Sequence, residues 1–171
     1  IDLQNKEWID LFNSSSKELK KCYINKPLLF TEKSGFEQEI NSIAKYYLGM
    51  SEKIKIVEYI PEYRVQETNE PSLVYEIGSF VTSNKDTYQY SILWSNKTGT
   101  WLREIDAIAK KETNDNDTNK VEDARKKWVE IANSNSSRNL AEKLYSKDMY
   151  YYNRGQIYKN YDELVEAYSY M

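Results

Sequence analysis

The sequence predicts an α+β fold: helices first, packed in the concave face of a curved antiparallel sheet, then a further helical segment. Three observations predict it. Apolar residues recur at helical spacing as far as Gly49. From Lys53 the period switches to two and holds to Ala109, with helices before the strands rather than between them. The start of the chain also returns near its end. Lys6–Ser14 (KEWIDLFNS) aligns with Lys126–Ser134 (KKWVEIANS), with Trp, Asn and Ser in place. After a one-residue insertion Leu19 meets Leu140, Lys26 meets Lys147, and Leu28–Phe30 meets Met149–Tyr151. A period of about 120 residues is domain-sized, far longer than a solenoid unit. The expected organisation is a complete domain over 1–109, a polar linker over 110–120, and the N-terminal part of a second, incomplete copy over 121–171.

Residues 5–13 read as a helix with Trp8, Ile9, Leu11 and Phe12 inward. Ser15 followed by Glu18 suggests a capping box for a second short helix, with Leu19, Cys22 and Tyr23 on one face. Pro27 halts that helix, and Leu28–Thr31 read as a short strand. Ser34-Gly35 is a turn. Phe36, Ile40, Ile43, Ala44 and Tyr47 form the apolar face of a helix over 36–48, with Gly49 at its C-cap. Lys53–Gln66 is a long strand that bends, or lies at an edge, at Pro61. Leu73–Thr82, Thr87–Ser95 and Thr100–Ala109 complete a meander, the last two joined by the turn Asn96–Gly99. Lys110–Lys120 (KKETNDNDTNK) has no apolar anchor and reads as the linker. Residues 121–133, 136–145 and 161–170 repeat the helices, and 148–152 repeats the short strand.

Composition narrows the function. A net charge of −3 with both signs interspersed gives no basic stripe for nucleic acid, and no long apolar run spans a membrane. The chain has no His, which removes the commonest general base and the usual zinc ligand. Its one Cys, Cys22, cannot form an internal disulfide and reads as a small buried hydrophobe. No metal site and no cofactor motif is expected: Asp115 and Asp117 lack the glycine and terminal Glu of a calcium loop, and there is no phosphate loop. The chain opens at Ile1, as after removal of a leader or at a cloning boundary, and the expectation is an exported protein, periplasmic, surface-anchored or extracellular.

The helix–short helix–strand–helix order followed by a long sheet resembles the nuclear transport factor 2-like superfamily. That superfamily includes ketosteroid isomerases and polyketide-cyclase-like proteins. The pieces that carry the resemblance are Trp8 to Ser14 in the first helix, Val74-Tyr75-Glu76-Ile77-Gly78 in a strand, and Trp94 followed by Trp101 and Asp106 across the last hairpin. The resemblance implies a bent sheet wrapped into a cone around the long helix, a pocket at its open end, and pairing through the outer sheet face, as a homodimer or as a pseudo-dimer within the chain.

Two carboxylates are the candidate catalytic residues. Asp106, on a strand lining the cone, can act as a general base or, held neutral, as a hydrogen-bond donor; ketosteroid isomerase is the reference case for both roles. Glu76 lies among apolar neighbours and either shares that work or pairs across strands with Arg103 or Arg64. Tyr63, Tyr75 and Tyr90, with Arg64 and Trp101, are the candidate ligand contacts, since a phenol is the natural donor where no His exists. The site should lie between helix 36–48 and the concave sheet face. The favoured function is a non-catalytic domain that binds a small apolar or amphipathic molecule or acts as a scaffold. The alternatives are an isomerase, cyclase or hydratase that uses a pocket carboxylate, and an interaction domain that recruits a partner through its sheet. A pocket closed by bulky side chains argues for the interaction domain.

Overall fold

The computed structural model describes residues 1–31, 35–111, 117–133, 145, 151–153, 156–158 and 160–168. They fall into two compact units, Ile1–Glu112 and Thr113–Met171.

The first unit opens with α1 (Asp2–Asn13), a 3₁₀ turn (Lys17–Cys22), β1 (Tyr23–Thr31), β2 (Gly35–Glu37) and α2 (Ile40–Ser51). Four long strands follow: β3 (Ile56–Gln66), β4 (Leu73–Thr82), β5 (Thr87–Ser95) and β6 (Leu102–Lys110). Asn5, Trp8 and Phe12 form the buried stripe of α1, and Ile43, Ala44, Tyr47 and Ser51 that of α2, each on one face of a 3.6-residue helix. At the end of α1 the N–H groups of Ser15 and Ser16 donate to the carbonyls of Phe12 and Leu11, both at 2.9 Å. That closure requires a left-handed residue, and Ser15 takes it, at φ 52°. Ser15 is therefore spent on reversing the chain, and the cap of the 3₁₀ turn is Ser16, whose hydroxyl accepts from the Glu18 N–H at 3.2 Å.

The helix expected from Phe36 starts only at Ile40. Residues 35–37 instead pair with the end of β1, Phe30 opposite Phe36, because the hairpin ladder satisfies their backbone groups. Gly49 is not a C-cap: α2 runs through it to Ser51.

The sheet is curved and unclosed, with order β2-β1-β6-β5-β4-β3. Strands β3 to β6 form the antiparallel meander the period-two pattern predicts. β1 joins in parallel to β6, so the sheet is mixed at that side, and β1 starts at Tyr23 rather than Leu28. Pro27 lies inside β1, at the register shift between Tyr23 and Leu28 and before the first residue paired with β2; its missing N–H breaks no ladder bond there. Pro61 likewise sits at a register shift, in edge strand β3. The inner sheet face packs on the helices through Leu29, Phe80, Ile92 and Trp94 against Trp8, Phe12, Ile43 and Tyr47.

The second unit contains α3 (Asp117–Asn133), the antiparallel pair β7 (Tyr151–Asn153) and β8 (Gln156–Tyr158), and α4 (Tyr161–Tyr168). This order matches α1, β1–β2 and α2. β8 follows β2 by 121 residues, the same offset that aligns Leu28 with Met149. Leu164 of α4 and Ile43 of α2 are both fully buried. α3 begins within the stretch read as linker, Lys110 still belongs to β6, and 112–116 lie outside the described residues. The expected helix 136–145 also lies outside them except for Tyr145, as do 148–150 and 169–170. Among the described residues no helix is long and apolar enough to cross a membrane.

Candidate functional site

The interior of the first unit holds a continuous chain of polar side chains. At one end Arg64 pairs with Asp2 at 2.6 Å and, through Nε, with Glu76. Asn5 donates its amide to both Glu76 oxygens, at 2.9 and 3.2 Å, and Tyr90 donates to Oε1 at 3.2 Å. The Tyr59 hydroxyl lies 3.2 Å from the same oxygen and 3.0 Å from Asn5 Oδ1. Arg103 bridges to the other end: Nη2 donates to Asn5 Oδ1 at 3.3 Å and Nη1 to Asp106 Oδ2 at 3.0 Å. Asp106 Oδ2 also accepts from Tyr23 and Tyr47, each at 2.9 Å, and Trp8 Nε1 donates to the Tyr23 oxygen at 3.1 Å. The Arg103 guanidinium lies over the Trp8 ring, 3.9 Å from its centroid.

Glu76 is 0% exposed and Asp106 1%. A bare buried carboxylate costs several kcal/mol, so these positions hold acids only because each meets an arginine and several neutral donors. Burial raises the Tyr23 and Tyr47 phenols well above their ordinary pKa, and the Asp106 charge raises them further. Burial alone would lower the pKa of Arg103, but the Asp106 carboxylate and the surrounding phenols outweigh it and hold it above the ordinary value.

A backbone irregularity builds this arrangement. In a regular strand residues three apart face opposite sides. On β6, however, Leu93 faces Ile105 while Trp94 faces Arg103, which leaves Glu104 as an extra residue. That bulge turns Arg103 onto the inner face beside Asp106. Period-two reading does not find it, and it is why Arg103 was not among the expected site residues. Asn5, Tyr23, Tyr47 and Tyr59 were missed for another reason: no local pattern marks which polar residues of a helix or strand will meet in the core.

Of the residues singled out from sequence, the structure brings together Asp106, Glu76, Tyr90 and Arg64. Glu76 and Arg64 are direct cross-strand partners, one of the two pairings the sequence allowed. Trp101 lies just before β6, packed against the edge of the core. Tyr63 and Tyr75 do not join them. They are 62% and 43% exposed and stand on the outer face next to Val65 and Ile77, in the registers Tyr63↔Ile77 and Val65↔Tyr75.

An open cleft of about 700 Å³ lies beside α2, toward the end of the sheet formed by β2 and the start of β5. Its apolar lining is Tyr46, Gly49, Met50, Tyr88 and Ile108. Its polar lining is Glu37, Ser42, Lys45, Lys53 and Lys110. Ile108 is two residues beyond Asp106 on the same face of β6, yet Asp106 does not line the cleft. A Cβ added at Gly49 would meet nothing within 4 Å. Lys110 pairs with Asp86 at 2.7 Å, whereas Lys45, Lys53 and Glu37 have no ion-pair partner among the described residues. No cluster of three or more metal-ligating side chains occurs among the described residues.

No protein-family model matches the sequence, and no curated protein does. Solved structures do. A ketosteroid isomerase-like protein from Erwinia carotovora superposes with a TM-score of 0.52 at 16% identity, covering 66% of this chain and 94% of that one. A domain of unknown function with a cystatin-like fold from Nostoc punctiforme gives 0.55 at 12% identity, over 77% of this chain and 91% of that one. A nuclear transport factor 2-like protein from Novosphingobium aromaticivorans gives 0.54 at 11% identity, over 66% and 80%. At such identities the likeness is one of fold: the chain carries the nuclear transport factor 2-like, cystatin-like α+β cone.

Proposed function

We propose that this protein is a non-catalytic binding module that takes a small apolar or amphipathic molecule in the cleft beside α2. The observation that carries the reading is the separation of the two regions. Both interior carboxylates are engaged by an arginine and by neutral donors and have almost no exposed surface, so neither is free to take a proton from a substrate. The cleft is open, within the size range of small-molecule sites, and lined in part by aromatic and aliphatic side chains.

Gly49 adds support. Glycine inside a helix costs roughly 0.5–1 kcal/mol relative to alanine. Its φ is not left-handed, and no neighbour stands within 4 Å of a Cβ placed there, so neither backbone nor packing requires it. What a side chain at that position would remove is space in the cleft. Titration of the neutral dye Nile red, followed by its fluorescence, tests the reading. Wild type should bind it. Gly49→Leu should lose most of that binding while its melting temperature stays level or rises. Equal binding by the two proteins, or a variant that binds better, overturns the assignment.

A further inference from the structure

We infer that the occupant of the α2 cleft is an anionic amphiphile, an apolar body that ends in a carboxylate or similar acid; this rests on the binding reading above. The protein as a whole is acidic, with net charge −3. The cleft runs against that balance. α2 (INSIAKYYLGMS) has a single charged residue, Lys45, and it lines the cleft. Lys53, two residues beyond the end of α2, lines it as well. Neither lysine has an ion-pair partner among the described residues, so both ammonium groups are available to a ligand. Among the described residues that line the cleft Glu37 is the one carboxylate, and the third lysine, Lys110, pairs with Asp86. The balance at the cleft is therefore positive, with Lys45 and Lys53 set against Glu37.

The same lining holds Tyr46, Met50, Tyr88 and Ile108, and a Cβ at Gly49 would meet nothing within 4 Å. An apolar body against these side chains with its acid on the lysines uses both kinds of lining. A cationic head would meet the same lysines with like charge. A neutral polar head would leave the apolar contact unchanged and gain nothing from them. Because both lysines are exposed, the head contributes selectivity and salt dependence more than raw affinity.

Isothermal titration of the full chain with dodecanoate, dodecyl maltoside and dodecyltrimethylammonium, each below its micelle concentration, tests the inference. Wild type, Gly49→Leu and the double variant Lys45→Gln/Lys53→Gln are compared. The expected order for wild type is dodecanoate over maltoside over ammonium, with roughly tenfold between the acid and the cation at low salt. That spread should shrink at high salt and collapse in the double variant, and Gly49→Leu should weaken all three ligands. If the three bind wild type equally, or the cation binds best, while Gly49→Leu still blocks them, the cleft is a binding site and the anionic assignment is wrong. If an acid preference exists but survives in the double variant, the lysines do not set it and the inference again fails. If none of the three binds in a Gly49-dependent way, the binding reading itself falls and the inference with it.

Discussion

At the scale of single residues, Asp106 and its partners carry the most testable content. Asp106→Asn keeps the side-chain shape but leaves Arg103, fully buried against Trp8 and Trp94, without its counter-charge. Removing one partner of a buried ion pair costs about 3–5 kcal/mol. Urea unfolding should show a loss of that order, and a loss below about 1 kcal/mol would mean that the network does not hold the core. The buried phenols and the thiol also set a pH dependence. Burial pushes the Cys22 thiol from 9.0 up to about 11, and Tyr23 and Tyr47 are raised well above 10.0. These groups stay protonated in the folded chain while the unfolded chain already ionises, so the unfolded state binds fewer protons and stability falls as pH rises. The stability they contribute is whole below about pH 9 and is lost above it, at up to about 1.4 kcal/mol per pH unit for each group. The urea midpoint should be level from pH 7 to 8.5 and then fall steadily toward pH 11. A level midpoint across that alkaline range would contradict the burial of these groups.

At the scale of elements, Gly78 marks a close approach between strands. A Cβ there would sit 2.3 Å from the carbonyl oxygen of Ile60 and 2.4 Å from the Tyr90 hydroxyl. The first of these is backbone of the neighbouring strand and cannot move cheaply. The second belongs to a ring that donates to Glu76, so Gly78→Ala strains β3 and unseats a donor together. A loss of about 1–3 kcal/mol in thermal or urea unfolding is expected; an unchanged midpoint would show that the strands separate without cost. From sequence Gly78 reads only as a strand glycine at a bend, and the long strands around it are legible because alternation is strong in β4 and the turn residues are conspicuous. The helix start at Ile40 was not legible, because Phe36 fits a helical stripe as well as it fits the short ladder that claims it. Gly49 read as a cap for the same reason: a glycine after an apolar stripe signals a helix end unless something outside the helix gives it another use. The bulge at Glu104 leaves no mark in composition or period, so the contacts that pass through Arg103, to Asn5 and to Asp106, cannot be read from the sequence.

At the scale of the whole molecule, the first unit is a cone whose interior is filled by Trp8, Phe12, Tyr47, Trp94 and Arg103 and tied together by a polar chain from Asp2 to Asp106. The fold class and the order of helices before sheet follow from the switch in hydrophobic period, which reports burial directly. The separation between a sealed interior and an open cleft does not, because it depends on which side chains fill the cone, a matter of volume rather than pattern. On the proposed function, binding takes place at the cleft and leaves the interior carboxylates undisturbed. Amide chemical-shift mapping by NMR, with dodecanoate added to the full chain, tests it most directly. The largest shifts should fall on Lys45, Gly49, Met50, Tyr88 and Ile108, with Asn5, Glu76 and Arg103 almost unmoved. Shifts centred on Asn5, Glu76, Arg103 and Asp106 would contradict it and return the interior carboxylates to candidacy for catalysis.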